Sequence, residues 1–299
     1  MNQKPKIMAI TGPSASGKSS LAVEIAKKFD GEIISADSRY VYKEINIAAA
    51  KPSEAEKENI PHHLIDICSV EEDYSVGKFV KDADSLIKSI SEKHKLPIIV
   101  GGTGLYFRSL RGTFDIPEVL PDYVFRKQAE SIPNERLYKE LVEAAPFVAE
   151  KIHPNNKVKI VRALEIARAN VKPRSKECPY EILWIFLNAK DRKNLYEKAD
   201  LRVEKMFEQG LLHEAETLFQ KYGQNSILMN TIGIKELYDV LYENADLDFA
   251  KSEIKKNTRR YIKRQISWFN GEQNLNTIYI DDGENVKDKA FALVEGFLK

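Results

Sequence analysis

The chain has 299 residues, 43% of them hydrophobic, enough for one large domain with an insertion or for two modest ones, and too apolar for a disordered chain. Its 46 basic and 45 acidic residues leave a net charge of +1, so any nucleic-acid surface has to come from local segregation of charge. Two distant cysteines, Cys68 and Cys178, exclude a disulfide framework and a CxxC metal site and fit a reducing cytosol. The run Ile7-Met8-Ala9-Ile10 is too short for a signal-peptide core or a membrane span. A cytoplasmic protein without membrane association is expected.

In chain order, residues 6–11 read as a strand, 12–18 as a Gly-rich loop, and Leu21, Ala22, Ile25 and Ala26 as one face of a helix. Glu32 to Ala36 reads as a second strand that ends at Asp37. Val76, Phe79, Val80, Ala83, Leu86, Ile87 and Ile90 predict a helix over 75–93, and Pro97 to Val100 a short strand that runs into Gly101-Gly102. Strands alternating with helices imply a parallel sheet covered on both faces. Residues 113–122, with Pro117 and Pro121, resemble a linker, and 123–170 read as helical with breaks near Pro133, Pro146 and Pro154. Residues 181–187 read as a buried strand where the sheet resumes, and the remainder as mostly helix. The expectation is an α/β core of 1–112 and 155–299, a helical insertion at 113–154, and a helical C-terminal part.

Gly12-Pro13-Ser14-Ala15-Ser16-Gly17-Lys18-Ser19 matches GxxxxGK[ST], between a predicted strand and a predicted helix as this nucleotide-binding motif requires. Backbone N–H groups and a helix N-terminus face an anion there, Lys18 adds a full charge, and Ser19 can place its hydroxyl on Mg²⁺. The motif specifies a polyphosphate and not ATP in particular. Nucleotide-hydrolysing P-loop proteins usually hold Mg²⁺ with an acid that ends a second apolar strand. Here Ile98-Ile99-Val100 ends in Gly-Gly-Thr, and the acid ends a different strand, at Asp37. That position lines the ligand crevice, in a role other than ordinary Mg²⁺ ligation.

Asp37-Ser38-Arg39-Tyr40-Val41-Tyr42 resembles the DSxxxY segment of the tRNA dimethylallyltransferases, also called tRNA isopentenyltransferases. Further matches follow in that family's order: Ala50-Lys51-Pro52, Pro61 to Asp66, Tyr74-Ser75, Gly101 to Tyr106, Ile152-His153-Pro154-Asn155, Arg162 to Glu165, Thr231 to Leu237, Asn257 to Tyr261, Lys263-Arg264-Gln265 and Trp268-Phe269. The resemblance covers nearly the whole chain. It implies a P-loop kinase-like core, an insertion that helps grip the anticodon stem, and transfer of the dimethylallyl group of dimethylallyl diphosphate to N6 of the adenine 3′ of the anticodon, position 37 of the tRNA. Pyrophosphate leaves, Mg²⁺ assists, and a monomer is expected.

Such a reaction needs the leaving group neutralised, a proton removed, and both reactants aligned. Residues 12–19 with Lys18, Ser19 and Mg²⁺ serve the first need. By position and resemblance, Asp37 takes the N6 proton; the alternative is a turn or helix cap with Ser38. Thr103, after two glycines, matches a family residue at the reaction channel that contacts tRNA; the alternative is a turn threonine. Arg162 is a candidate second pyrophosphate contact, or else the i,i+3 partner of Glu165. Contact with tRNA is expected from Asp37, Ser38, Arg39, Tyr40, Thr103 and Arg162. Residues 251–270 hold seven cations and one acid; beside an apolar face of Ile262, Ile266 and Phe269, this run reads as a tRNA-backbone contact through Arg259, Arg260, Lys263 and Arg264, or as a solvated face. The target adenine has to be unstacked into a pocket, with Tyr40, Tyr42 and Tyr106 as stacking candidates. Adjacent His62 and His63 do not share a face and read as packing or polar contacts rather than metal ligands.

The sequence departs from the family at Tyr40, where Gln is frequent, at Glu44-Ile45-Asn46-Ile47-Ala48-Ala49, where the usual run is Gly-Met-Asp-Ile-Gly-Thr, and at Ile234, commonly Tyr. These departures bear on the wall near the tRNA and hence on substrate choice. The competing readings are a P-loop kinase for a small molecule and a tRNA-binding protein without chemistry.

Overall fold

In a computed structural model, describing residues 4–112, 119–169 and 177–299, the chain forms two compact units. The first, up to Arg111 and again from Cys178, is built on six parallel strands: β1 (Lys6–Thr11), β2 (Gly31–Ser35), β3 (His62–His63), β4 (Leu96–Gly101), β5 (Glu181–Asn188) and β6 (Asn276–Tyr279). Their order is β3-β2-β4-β1-β5-β6. The central strands are apolar on both sides because helices cover both faces. Met8, Ile10, Ile33, Ile98 and Ile185 pack on Leu21, Ile25 and Val294 on one side; Ile7, Ala9, Ile34, Ile99 and Phe186 pack on Phe79, Ile87, Phe107 and Phe269 on the other. The parallel sheet and the strands expected at 6–11, 32–36, 97–100 and 181–187 are thus formed. The two edge strands are additions to the sequence reading. β3 is two residues long, and β6 follows the longest helix, Leu247–Phe269.

Register sets the crevice. Thr11 pairs with Gly101 and Ser35 with Val100, so β1, β2 and β4 end side by side. Loops at this edge carry residues 12–17, Asp37 and Thr103. Strand C-termini flanking a change of strand order are where open α/β sheets bind ligands.

The second unit runs from Gly112 to Glu177, beyond the boundary expected at 154. The reason is the helix Lys157–Arg168, which buries Ile160, Val161 and Leu164 against Leu137, Leu141 and Phe125 of the preceding helices. Asp122 caps Tyr123–Glu130 through the Phe125 N–H at 2.9 Å, and Asn156 caps Lys157–Arg168 through Lys159 at 3.2 Å. Most of the expected linker at 113–122 lies outside the described residues. No described helix is long and apolar enough to cross a membrane.

Glu165 ties the second unit together. Its carboxylate, 1% exposed, accepts from Arg126 at 2.7 Å, from Arg162 at 2.8 Å and from the Asp122 N–H at 3.0 Å. Burial pushes its pKa up, and the two guanidiniums outweigh burial and hold it below the usual range. Glu165→Ala is expected to destabilise this unit by about 2 kcal/mol, because charged hydrogen bonds are lost while the arginines partly resolvate. Hydrogen exchange should quicken in peptides from 119–169 and stay unchanged in the sheet. Equal quickening throughout the chain would show that the effect is not confined to this unit.

Candidate active site

The loop from β1 to its helix Lys18–Phe29 is wound for an anion. Gly12, Ala15 and Gly17 have φ of 150°, 64° and 85°. A Cβ at Gly12 would meet the Leu187 carbonyl at 2.4 Å, so only glycine allows β1 and β5 to approach there. The helix has no side-chain cap and no acid in its first turn. Its leading N–H groups therefore lack helical acceptors and present the positive end of the dipole. Such an end is a ready anion site.

Two cations lean into this loop. Lys18 Nζ donates to the Pro13 carbonyl at 2.7 Å. Lys18 is half-buried. Burial, with Arg202 nearby, pushes its pKa down to about 7 against the opposing pull of Asp37. Arg202, on the helix Arg192–Glu208, is likewise shifted down by burial despite Tyr40 and Asp37, and its Nε is buried with no partner among the described residues. The Ser16 hydroxyl is another buried polar group without a partner there. Two half-buried cations, a capless helix and unpaired polar atoms at one place suit a polyanion.

Across the crevice, Asp37 Oδ1 accepts the Arg39 N–H at 2.8 Å. The turn-capping alternative is thus formed by one oxygen, which leaves the other for chemistry. Thr103 Oγ1 accepts the Ser38 N–H at 3.1 Å, and its own N–H donates to Ala36 O at 3.3 Å. Tyr261 hydrogen-bonds Thr103, and burial together with the charge of Asp37 pushes its phenol pKa up. Tyr40 touches Ser19, donates its hydroxyl to Ala50 O at 2.7 Å, and is raised by burial and then by Asp37. These contacts bring Gly12 to Ser19, Asp37, Ser38, Tyr40 and Thr103 to one site.

Other expected residues stand differently. The Arg39 guanidinium reaches the Asn230 carbonyl at 2.9 Å. Arg162 belongs to the second unit, where it pairs with Glu165, the alternative weighed for it, and donates to Val119 O at 2.9 Å. Arg259 is neutralised by Asp200 at 2.6 Å, so it is not a free phosphate ligand. Lys251, Lys255 and Lys256 are also paired with acids, whereas Arg260, Lys263 and Arg264 are exposed and have no acidic partner among the described residues. Tyr42 and Tyr106 are only 3% and 4% exposed, and Tyr106 is stacked on Phe79 at 4.1 Å, so neither offers a free face to a base. His62 Nδ1 meets Ile60 O and His63 meets Glu32, both at 2.8 Å.

Arg202 and Gln265 are not among the site residues that the sequence suggests. Each had a signal: a polar residue on an apolar helical stripe. Arg202 lies between Ala199 and Met206, and Gln265 between Ile262 and Phe269.

The chain is similar to known proteins over nearly all its length. Residues 40–272 match the family model described as IPP transferase. A tRNA dimethylallyltransferase of Bacillus cereus (strain G9842) is 38% identical over 99% of this chain and 96% of its own, and one of Caldanaerobacter subterraneus is 40% identical over 98% and 99%. Among solved structures, the tRNA isopentenylpyrophosphate transferase of Bacillus halodurans superposes with a TM-score of 0.76 at 36% identity, covering 99% of this chain and 97% of that one. A eukaryotic dimethylallyltransferase captured acting on tRNA gives 0.82 at 28%, covering 98% and 79%. A phosphate loop facing an aspartate on a parallel sheet, together with this level of likeness along the chain, identifies it as a member of the IPP transferase family.

Proposed function

We propose that this chain transfers the dimethylallyl group of dimethylallyl diphosphate to N6 of the adenine 3′ of the anticodon of tRNA and releases diphosphate. The observation that carries the reading is the pair of half-buried cations, Lys18 and Arg202, near Asp37 at a loop whose helix has no side-chain cap. The N6 lone pair forms a bond to C1 of the prenyl group. The C1–O bond breaks, its electrons leave with diphosphate, and the N6 proton passes to the free oxygen of Asp37. Loop amides, Lys18 and Arg202 meet the charge that grows on the leaving group, in a site where little water screens it.

Mg²⁺ fits this arrangement. Among the described residues no cluster of three acids, histidines or cysteines forms a metal cage, and the Ser19 hydroxyl stands at the loop. That donor set suits an ion that takes most of its ligands from phosphate oxygens and water. When bound, it supplies charge to the diphosphate.

Docking of tRNA falls to Ser38, Thr103 and Tyr40 at the crevice and to Arg260, Lys263 and Arg264 on the basic helix. The second unit is read as a grip on the anticodon stem. Arg162 is kept as a tRNA contact there, since Lys18 and Arg202 already match the diphosphate. A cytoplasmic monomer is the expected form.

The direct test incubates the protein with Mg²⁺, dimethylallyl diphosphate and tRNA carrying adenine 3′ of its anticodon, followed by nucleoside mass spectrometry. N6-dimethylallyladenosine should form. Asp37→Ala should lower its rate at least about 100-fold, as loss of a general base does, while tRNA still binds. Full activity in that variant removes Asp37 as the base.

Arg202→Met should weaken diphosphate binding and yet raise the melting temperature of the free protein, by about 1 kcal/mol of stability, because a half-buried cation with an unpartnered Nε is replaced by an apolar chain. A fall in melting temperature would show that Arg202 already has its counter-charge in the free protein.

Protonation of Lys18 gives a further check. Its folded pKa of about 7 lies below the unfolded value of 10.5, so between these values the folded state binds fewer protons and stability rises with pH. A bound diphosphate restores the proton. Calorimetry near pH 8.5, above the last ionisation of a phosphate ester at about 6, should show buffer-dependent heat from proton uptake. Lys18→Arg, always charged, should abolish it; uptake that persists in this variant assigns the proton elsewhere.

A further inference from the structure

On the buried side of the basic helix, Gln265 is only 4% exposed. Its Oε1 accepts the Ser14 N–H at 2.8 Å and the Ser14 hydroxyl at 3.3 Å, and its Nε2 donates to the Gly102 carbonyl at 3.1 Å. A Cβ on Gly102 would stand 2.1 Å from Nε2, so the missing side chain at 102 is what admits the amide. Packing the helix on the core does not require this. Ile262, Ile266 and Phe269 already do so, and an apolar side chain of similar volume would bury at lower cost than an amide.

The position of the contact gives it meaning. Ser14 precedes Ala15, a non-glycine residue at φ 64°, and the turn through 15–17 aims the following amides at the anion site. Backbone held in that region persists only where its surroundings fix it. Inside the loop the ties are weak or temporary. Ser16 N–H reaches Pro13 O at a long 3.4 Å, and the Lys18 contact to the same carbonyl competes with any anion that draws the ammonium inward. The bond from Gln265 to Ser14 remains, because it comes from outside the loop and spends an N–H that does not serve the anion.

We propose that Gln265 is a positioning residue for the diphosphate, fixing Ser14 and so the curvature of the loop from a helix whose other side carries Arg260, Lys263 and Arg264. The inference rests on reading residues 12–19 as the diphosphate site. Gln265 itself touches no substrate. It joins the P-loop and the Gly101-Gly102-Thr103 loop through one side chain, so the two walls of the crevice keep their spacing.

Inorganic diphosphate with Mg²⁺ is the probe. Lys18→Met should lose binding; wild-type affinity in that variant overturns the diphosphate reading itself. With that control in place, Gln265→Met should weaken diphosphate binding about tenfold, the order expected when a buried amide loses its acceptor, and raise KM for dimethylallyl diphosphate by a similar factor. Affinity for tRNA should stay within about twofold, since the phosphate-facing cations are untouched. Amide exchange should quicken in the peptide spanning 12–19 and not in β5. Unchanged diphosphate affinity overturns the inference, and so does a parallel loss of tRNA and diphosphate affinity with a collapse in melting temperature in a variant that still folds. If the methionine variant does not fold, Gln265→Asn, polar but one methylene too short to span both partners, is read by the same outcomes.

Discussion

The constraint on which the site depends is the cost of holding two cations partly out of water. Beyond the effect of burial, Arg202 sits close enough to Lys18 to push its pKa down against Asp37, and Arg202 itself is pushed down by burial against Tyr40 and Asp37. A fold selected only for stability would fill this place with apolar side chains. Retaining them makes sense when a polyanion is bound and then released during the reaction. The charges are oriented before it arrives, so little rearrangement is needed as negative charge moves onto the leaving oxygen. Asp37 has a double bearing here. Its carboxylate opposes the downward shift of both cations, and it is the base proposed for the amine. One oxygen is fixed by the Arg39 N–H, which orients the other.

Close backbone approach builds the rest of the crevice. Gly101 lies against Ala36, where a Cβ would come within 2.2 Å of the carbonyl, and Gly104 against Trp268, at 2.3 Å. With Gly12 on Leu187 and Gly102 on Gln265, four glycines join the ends of β1, β2, β4 and β5 to the basic helix. Side chains at these positions would spread the strand ends. Thr103 could then no longer hold the Ser38 N–H beside Asp37, and the loop could no longer lean on Gln265. The glycines of Gly101-Gly102-Thr103 thus matter less for their own flexibility than for the distance they set between their neighbours.

What was readable in the sequence follows from how local each signal is. The P-loop, the strand ending at Asp37 and the Gly-Gly-Thr segment are short motifs whose geometry is set within a few residues, and all three meet at the sheet edge. Edge strands β3 and β6 escaped because two and four residues carry too little periodicity to be told from loop. Pro154 marks a break in the helical pattern, but Ile160 and Leu164 follow their packing partners and not the break. Charge was the least legible property. Seven cations at 251–270 look alike in sequence, yet Asp200, Asp248, Glu204 and Glu253 take four of them, and three of these acids lie outside that stretch. Arg202 is the converse. It hides among ordinary helix charges, and only its place on an apolar stripe separates it from them.

The departure from the family at Glu44 to Ala49 looks, in sequence, like damage to the wall beside the tRNA. Its physics points the other way. Glu44 stands where the family has glycine, and it keeps the left-handed backbone at φ 70°, at a cost of roughly 1 kcal/mol for a residue with a Cβ. The Glu44 carboxylate is engaged by Lys221 and Tyr222, at 2.6 and 2.8 Å. Further along, the N–H groups of Asn46, Ile47 and Ala48 all point at Glu214, at 2.9, 2.8 and 2.9 Å. One carboxylate that accepts three successive amides fixes a backbone curve as firmly as a run of special residues does. Lys51 closes the other end on the Tyr42 carbonyl at 2.6 Å and Asn46 at 3.1 Å, and the Ala50 carbonyl holds the Tyr40 hydroxyl beside Ser19. The loop's path is therefore set by Glu214 and Lys51, and the glycines of the family pattern are replaced at an energetic cost that these charged hydrogen bonds offset. What changes at 44–49 is the set of side chains, with Ile45 buried in the core and Glu44 and Asn46 exposed, while the loop is still held by Glu214 and Lys51.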